Sequence, residues 1–261
     1  MKHCLEELVK KYPQLLMPIK KDIKNSEEYK DVVLRGKETS YKLSFSFDED
    51  DKLENINTPI GSIDVLSLRK REDFIHAVRS LGYKCEPVDV PDSTGAIYIS
   101  GLNNWDKVKA GLDDYKDSII LISSGNYSNV SAFDIKQVSD NEILLTDKEW
   151  IDKSIEIRKY HELTHFLMRK QYPEDIKAIR DEIIADGVGL VGTFGYFDDR
   201  LIKLFFGIEK DEYREGGRLQ NYEGGNKENI PHVLEMIDKY KILFSKYNSV
   251  DDIWENIKEF I

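Results

Sequence analysis

Two histidines four residues apart, His161 and His165, constrain this chain more than any other feature of it. Only five of its 261 residues are histidine: His3, His76, His161, His165 and His232. At positions i and i+4 of an α-helix two side chains lie on the same face, one turn apart. The stretch Tyr160-His161-Glu162-Leu163-Thr164-His165 is therefore expected to be helical, with both imidazoles aimed at one point in space. Such a pair can reach a single metal ion. Glu162, next to the first histidine, can reach a water on that ion without binding the ion itself.

A second carboxylate pair follows at Arg180-Asp181-Glu182-Ile183-Ile184-Ala185-Asp186. This segment also reads as helix, and Glu182 and Asp186 share a face at i and i+4. Glu182 is the candidate third ligand. It would complete a His₂Glu set of the kind that leaves one position open for water. Asp186 could accept a hydrogen bond from the free ring nitrogen of a ligand histidine. Two neutral nitrogen ligands with a neighbouring carboxylate base are what a zinc hydrolase requires, so zinc is the expected cofactor.

His161-Glu162-Leu163-Thr164-His165 followed by Glu182-Ile183-Ile184-Ala185-Asp186 resembles the paired motifs of the gluzincin group of zinc metallopeptidases, the thermolysin-like enzymes. The resemblance covers about residues 150 to 192. It implies that His161, His165 and Glu182 bind zinc, that Glu162 is the general base and that Asp186 orients His161. The interval between the two motifs is shorter than in thermolysin-like enzymes, so the connecting turn must differ.

A net charge of −11 argues against binding a phosphate backbone, so no nucleic-acid partner is expected. No run approaches the length of a membrane span, and charges interrupt the first residues, which do not read as a signal peptide. Cys4 and Cys85 are too few for a disulfide framework and read as free thiols. Together these features give a cytoplasmic expectation with no membrane partner, and the resemblance implies a peptide or protein as substrate.

Along the chain, residues 3 to 30 read as amphipathic helix interrupted near Pro13 and Pro18. Tyr41 to Phe47 alternates with period two and reads as a half-buried strand. Asp48-Glu49-Asp50-Asp51 reads as a solvated turn, lacking the spacing of a calcium loop. Arg69 to Leu81 reads as helix, and His76 within it as structural or exposed. Lys84 to Val90, Ala96 to Ser100, Ser118 to Ser123 and Glu142 to Leu145 read as strands, with a helix over Asn103 to Leu112. Asp147 is expected to cap a long helix reaching about Gln171, and Pro173 to open the next. Gly187, Gly189 and Gly192 either let that second helix pack closely on a neighbour or end it. Helices are expected over Asp199 to Phe206, Pro231 to Tyr247 and Val250 to Phe260. The fold expected is α+β and zincin-like. Residues 1–146 would form an α+β part with a mixed sheet, and residues 147–261 a helical part carrying both motifs.

The gluzincin resemblance implies an oxyanion donor downstream of Glu182. His232 is one candidate. The tract Tyr213 to Gly225 offers two more: Tyr222 as donor, and Arg218 as a bidentate partner for a substrate carboxylate. A peptide substrate would add to a sheet edge, for which Ser118 to Phe133 is the candidate segment. Two other functions fit the same motifs. One is a non-catalytic, zinc-binding regulatory protein, the other a zinc hydrolase acting on a non-peptide amide.

Overall fold

The computed structural model describes residues 2–43, 48–175, 178–209, 212–214, 217–222 and 227–261. The chain divides into two compact units, one of residues 1–56 with 62–124 and the other of 57–61 with 125–261.

The first unit opens with helix α1 (Lys2–Lys11), a short turn Pro13–Leu16, and α2 (Glu27–Tyr29), which widens into a helical turn over Lys30–Leu34. Then come β1 (Lys52–Thr58), β2 (Gly61–Leu68), α3 (Arg71–Gly82), β3 (Ala96–Asn103), α4 (Trp105–Lys109) and β4 (Lys116–Ser123). The strands form a four-stranded sheet in the order β1-β2-β4-β3. The sheet is mixed: β4 pairs parallel with β2 and antiparallel with β3.

Alternation along the strands builds this unit's core. Leu66 and Leu68 of β2, Ile119 and Leu121 of β4 and Ile99 of β3 pack with Leu8, Tyr12 and Leu15, and with Phe74, Ala77, Val78 and Leu81 of α3. Ile120 and Ile122, on the opposite face of β4, are also fully buried. A strand covered on both faces reads as a continuous apolar run, which is why Ile119-Ile120-Leu121-Ile122 is legible as a strand. It also means that the segment from Ser118 to Phe133 is not the expected sheet edge. β4 has a neighbour on each side, and beyond Ser123 the chain leaves the sheet in a turn.

Other expectations for this unit change in the structure. β1 and β2 have no counterpart in the sequence reading: β1, Lys-Leu-Glu-Asn-Ile-Asn-Thr, is largely polar, whereas β2 is a more apolar run that the reading passes over. Tyr41–Leu43 is not strand, and the rest of that expected strand, Ser44 to Phe47, lies outside the described residues. Asp51 is buried rather than solvated, and its two oxygens accept from the backbone N–H groups of Asp48 and Arg69, each at 2.6 Å. His76 is structural: its Nε2 lies 3.3 Å from the Leu15 carbonyl. Lys84 to Val90 forms no strand. Lys84 and Cys85 take positive φ (54° and 62°), and the Cys85 N–H closes the end of α3 on the Arg79 carbonyl.

The Cys85 side chain is fully buried, and burial pushes its thiol up to about 12. An unfolded thiol ionises near 8.5. The unfolded chain therefore releases this proton first, and the contribution to stability is fully present below about pH 8.5 and fades as pH rises toward the folded value. In a Cys4→Ser background, Cys85 is expected to resist a disulfide-exchange reagent at pH 8 until denaturant is added. Prompt stoichiometric labelling of the native protein would contradict this.

The second unit is mainly helical. It contains the turn Tyr127–Asn129, then α5 (Ala132–Val138), α6 (Asp147–Gln171), the turn Pro173–Asp175, α7 (Ala178–Phe194) and α8 (Asp199–Phe206). A two-stranded ribbon of β5 (Ile208–Glu209) and β6 (Glu212–Tyr213) comes next, with α9 (Ile230–Phe244) and α10 (Val250–Glu255) last. The sequence reading divides the chain at 146/147, whereas the compact units divide at 124/125. The cause lies in α6. Trp150 Nε1 donates to the Val130 carbonyl (2.6 Å), and the Arg158 guanidinium holds the carbonyls of Gly125 and Asn126 at 2.7 Å each. These bonds fasten the segment before α5 to the long helix.

The cap of α6 is Thr146, not Asp147: its hydroxyl accepts from the Glu149 N–H while the Glu149 carboxylate accepts from Thr146. Glu142 to Leu145 is not a strand. Asp140 and Asn141 take positive φ there, and the Glu142 side chain pairs with Arg200. No helix among the described residues is long and apolar enough to cross a membrane.

Candidate metal centre

Helices α6 and α7 carry the two motifs and pack against each other closely. The three glycines of α7 do not end the helix, which runs on to Phe194. A Cβ on Gly189 would stand 3.0 Å from the Ile157 carbonyl oxygen, and one on Gly192 would stand 2.2 Å from the Tyr160 ring. Gly189 and Gly192 lie three apart on α7, and Ile157 and Tyr160 lie three apart on α6, so one face meets the other along matching turns. This close approach brings the carboxylates of α7 up to the histidines of α6.

The result is a cluster of His161, His165 and Glu182 whose ligand atoms all lie within 4.8 Å of one another. His161 Nε2 and His165 Nε2 are 3.1 Å apart. Glu182 Oε1 lies 3.2 Å from His165 Nε2, and Glu182 Oε2 lies 3.6 Å from His161 Nε2. A tetrahedral ion with bonds of roughly 2.0–2.1 Å has ligand-to-ligand edges of about 3.3–3.4 Å. The two separations that share His165 Nε2 lie close to that value, the 3.6 Å separation running to the other Glu182 oxygen, so the cluster could hold one metal ion. Both histidines are buried and the Glu182 carboxylate is nearly so.

His161 and Glu182 each have a partner behind them. The imidazole of His161 pairs through Nδ1 with Asp186 Oδ1 at 2.8 Å, and Asp186 is fully buried. This leaves Nε2 for the cluster, the tautomer a metal requires. Tyr127 is absent from the residues the sequence reading selects, yet its hydroxyl donates to Asp186 Oδ1 (2.5 Å) and sits 2.9 Å from His161 Nδ1. Its position depends on the turn after β4, where Ser128 and Asn129 take positive φ (51° and 58°), and on the Ser154 hydroxyl, which accepts from the Tyr127 N–H. The one sequence signal for it is Gly125-Asn126-Tyr127-Ser128-Asn129, a turn-forming run whose single aromatic points inward.

Arg218 and Tyr222 come from one short segment, the helical turn Arg218–Asn221 and the residue after it. Arg218 Nη2 donates to Asp186 Oδ2, and Nη1 donates to the hydroxyls of Tyr127 (3.0 Å) and Ser128 (3.2 Å). Its guanidinium also lies over the rings of Phe206 and Tyr127. The expected partner of a substrate carboxylate is thus the buried partner of an internal one. The Tyr222 hydroxyl donates to Glu182 Oε2 at 2.7 Å. Both residues are brought to the cluster, but they serve its carboxylates. Glu215, Gly216 and residues 223–225 of the same expected tract lie outside the described residues. His232 is exposed in the first turn of α9, and no hydrogen bond or ion pair among the described residues joins it to the cluster.

The charges settle accordingly. Burial works to raise Glu182, but the His165 hydrogen bond and the His161, His165 and Arg218 charges hold it well below the usual carboxylate range. Burial also opposes ionisation of Asp186, and Arg218 with His161 keeps it low. Burial lowers His161, while the Asp186 hydrogen bond and the Glu182 charge outweigh it and raise the imidazole above its ordinary value. Glu162 is half-buried, and its charge reaches His161. Among the described residues no hydrogen bond or ion pair engages its carboxylate.

Fold and site together define an α+β protein whose helical unit brings two histidines and a glutamate into one cluster that could hold a metal ion. The chain belongs to DUF7005, a family of unknown function, whose model matches residues 1–114 and 110–239. No curated protein and no solved structure matches it.

Proposed function

We propose that this protein is a zinc-dependent metallopeptidase of gluzincin type with a zincin-like site. The observation that carries this reading is the gathering of one ligand atom each from His161, His165 and Glu182 within 4.8 Å of one another, with the unengaged Glu162 carboxylate on the same helix as the two histidines. The donor set of two imidazoles and one carboxylate suits zinc and supplies three ligands, as open catalytic sites do. Structural zinc sites are usually closed with four ligands and rich in cysteine, which favours catalysis over a purely structural ion.

Zinc at this cluster would acidify a bound water and polarise a carbonyl. Glu162 would be the base that accepts a proton from the attacking water and returns it to the leaving amine. Asp186 and Tyr127 hold His161 in the metal-binding tautomer throughout.

The purified protein is expected to bind about one zinc per chain, as catalytic sites of this ligand set do. Glu162→Gln should keep the metal and lose peptide hydrolysis by about 10²–10⁴-fold, the usual contribution of a general base. Elemental analysis and a peptide-library digest check the two halves. Protein that takes up no zinc on reconstitution would sink the reading. Hydrolysis that survives Glu162→Gln would remove its mechanism.

A further inference from the structure

Glu182 has two oxygens, and both stand within reach of an ion shared with the histidines: Oε1 is 3.2 Å from His165 Nε2 and Oε2 is 3.6 Å from His161 Nε2. A carboxylate so placed could bind through one oxygen or both, and the choice decides whether a position stays open. The two oxygens differ in their surroundings. Oε2 accepts the Tyr222 hydroxyl at 2.7 Å and has Arg218 Nη2 at 3.9 Å, whereas the nearest charged partner of Oε1 is His165 itself.

We infer that Tyr222 is a positioning residue that keeps Glu182 a one-oxygen ligand. This rests on the metal-site reading above and adds to it the device that sets coordination number. A carboxylate oxygen that accepts a hydroxyl proton has one lone pair committed and less charge to offer a metal, while Oε1 keeps its full donor strength. Tyr222 is well placed to enforce this. Its ring lies 6.0 Å from the Phe206 ring, and the segment that carries it is anchored by Arg218 on Asp186. The consequence is a three-ligand site with room for water, obtained from a carboxylate that would otherwise be free to close it.

Cobalt(II) reports the difference without any substrate, since four-coordinate cobalt absorbs visible light strongly and five-coordinate cobalt weakly. The wild-type protein loaded with cobalt is expected to show the strong bands. Tyr222→Phe removes only the hydroxyl, and should keep one cobalt per chain while the band intensity falls toward the five-coordinate level. Tyr213→Phe is the control. Tyr213 hydrogen-bonds to the Gly217 carbonyl and to Gln220 in the same segment, with no bond to Glu182. It should leave the spectrum unchanged.

An unchanged spectrum in Tyr222→Phe overturns the inference and leaves the metal site standing. An equal fall in both variants also overturns it, because loosening of the segment would then be the cause. Wild-type protein that takes up no cobalt overturns the inference together with the reading beneath it.

Discussion

Replacing Asp186 with alanine is expected to weaken zinc binding by about 10–100-fold, the usual effect of removing a partner behind a ligand. The same change should destabilise the metal-free helical unit by about 3–5 kcal/mol, the cost of breaking a buried ion pair from one side. Three groups lose their partner at once. The Arg218 guanidinium is left largely buried without its nearest counter-charge, the Tyr127 hydroxyl without its acceptor, and His161 Nδ1 without the carboxylate that orients it. Asp186→Asn should cost less in stability, since it keeps the shape and one acceptor oxygen, yet it should still weaken the metal. Urea unfolding of the metal-free protein and competition with a chromophoric chelator measure the two effects. Wild-type stability in Asp186→Ala would mean that Glu182, 3.9 Å from Arg218, suffices as its counter-ion.

Gly192→Ala is expected to destabilise the protein by about 1–3 kcal/mol, the range for overpacking a filled interior. In an exposed helix the same exchange gains about 1 kcal/mol, so the sign itself is diagnostic. The added methyl would meet three atoms of the Tyr160 ring, from 2.2 Å at Cδ2 to 2.6 Å at Cγ. Cγ is close to the backbone, so a small swing of the ring does not clear it. Tyr160 precedes His161, and a shift of α6 against α7 would spread the cluster beyond the reach of one ion. Equilibrium unfolding with and without zinc tests this. A variant more stable than wild type would show that α6 and α7 are not in such close contact.

The long helix and its successor were legible because their signals are local. The pair His161 and His165 fixed a helical face, Asp147 marked a start one residue from the Thr146 cap, and Asp199 to Phe206 carried a strongly amphipathic pattern. The candidate cluster was legible for the same reason, since His161 and His165 stand at i and i+4 of one helix, as Glu182 and Asp186 do on the next. Less could be read where the deciding contact is distant in sequence. Tyr127 reaches His161 only through the fold, and the role of Arg218 changed because its carboxylate belongs to α7 and not to a ligand. The glycines of α7 were ambiguous, since the sequence does not say which side chain stands opposite. The segments 84–90 and 142–145 are apolar enough for strands, but residues with positive φ turn them into caps and turns. The polar β1 shows the reverse, a strand held by its pairing with β2 rather than by its own pattern.

In H-E-x-x-H the two middle positions are written as free. Here Leu163 is fully buried, and the Thr164 hydroxyl both donates to the Tyr160 carbonyl (2.7 Å) and accepts from the indole N–H of Trp254 (3.1 Å). One of the letters between the histidines therefore carries an address: Thr164 ties this helix to Trp254 of α10. Chains that share the two histidines and the glutamate but differ at Thr164 would be expected to differ in what lies behind the helix, so an unspecified position of the motif records the architecture.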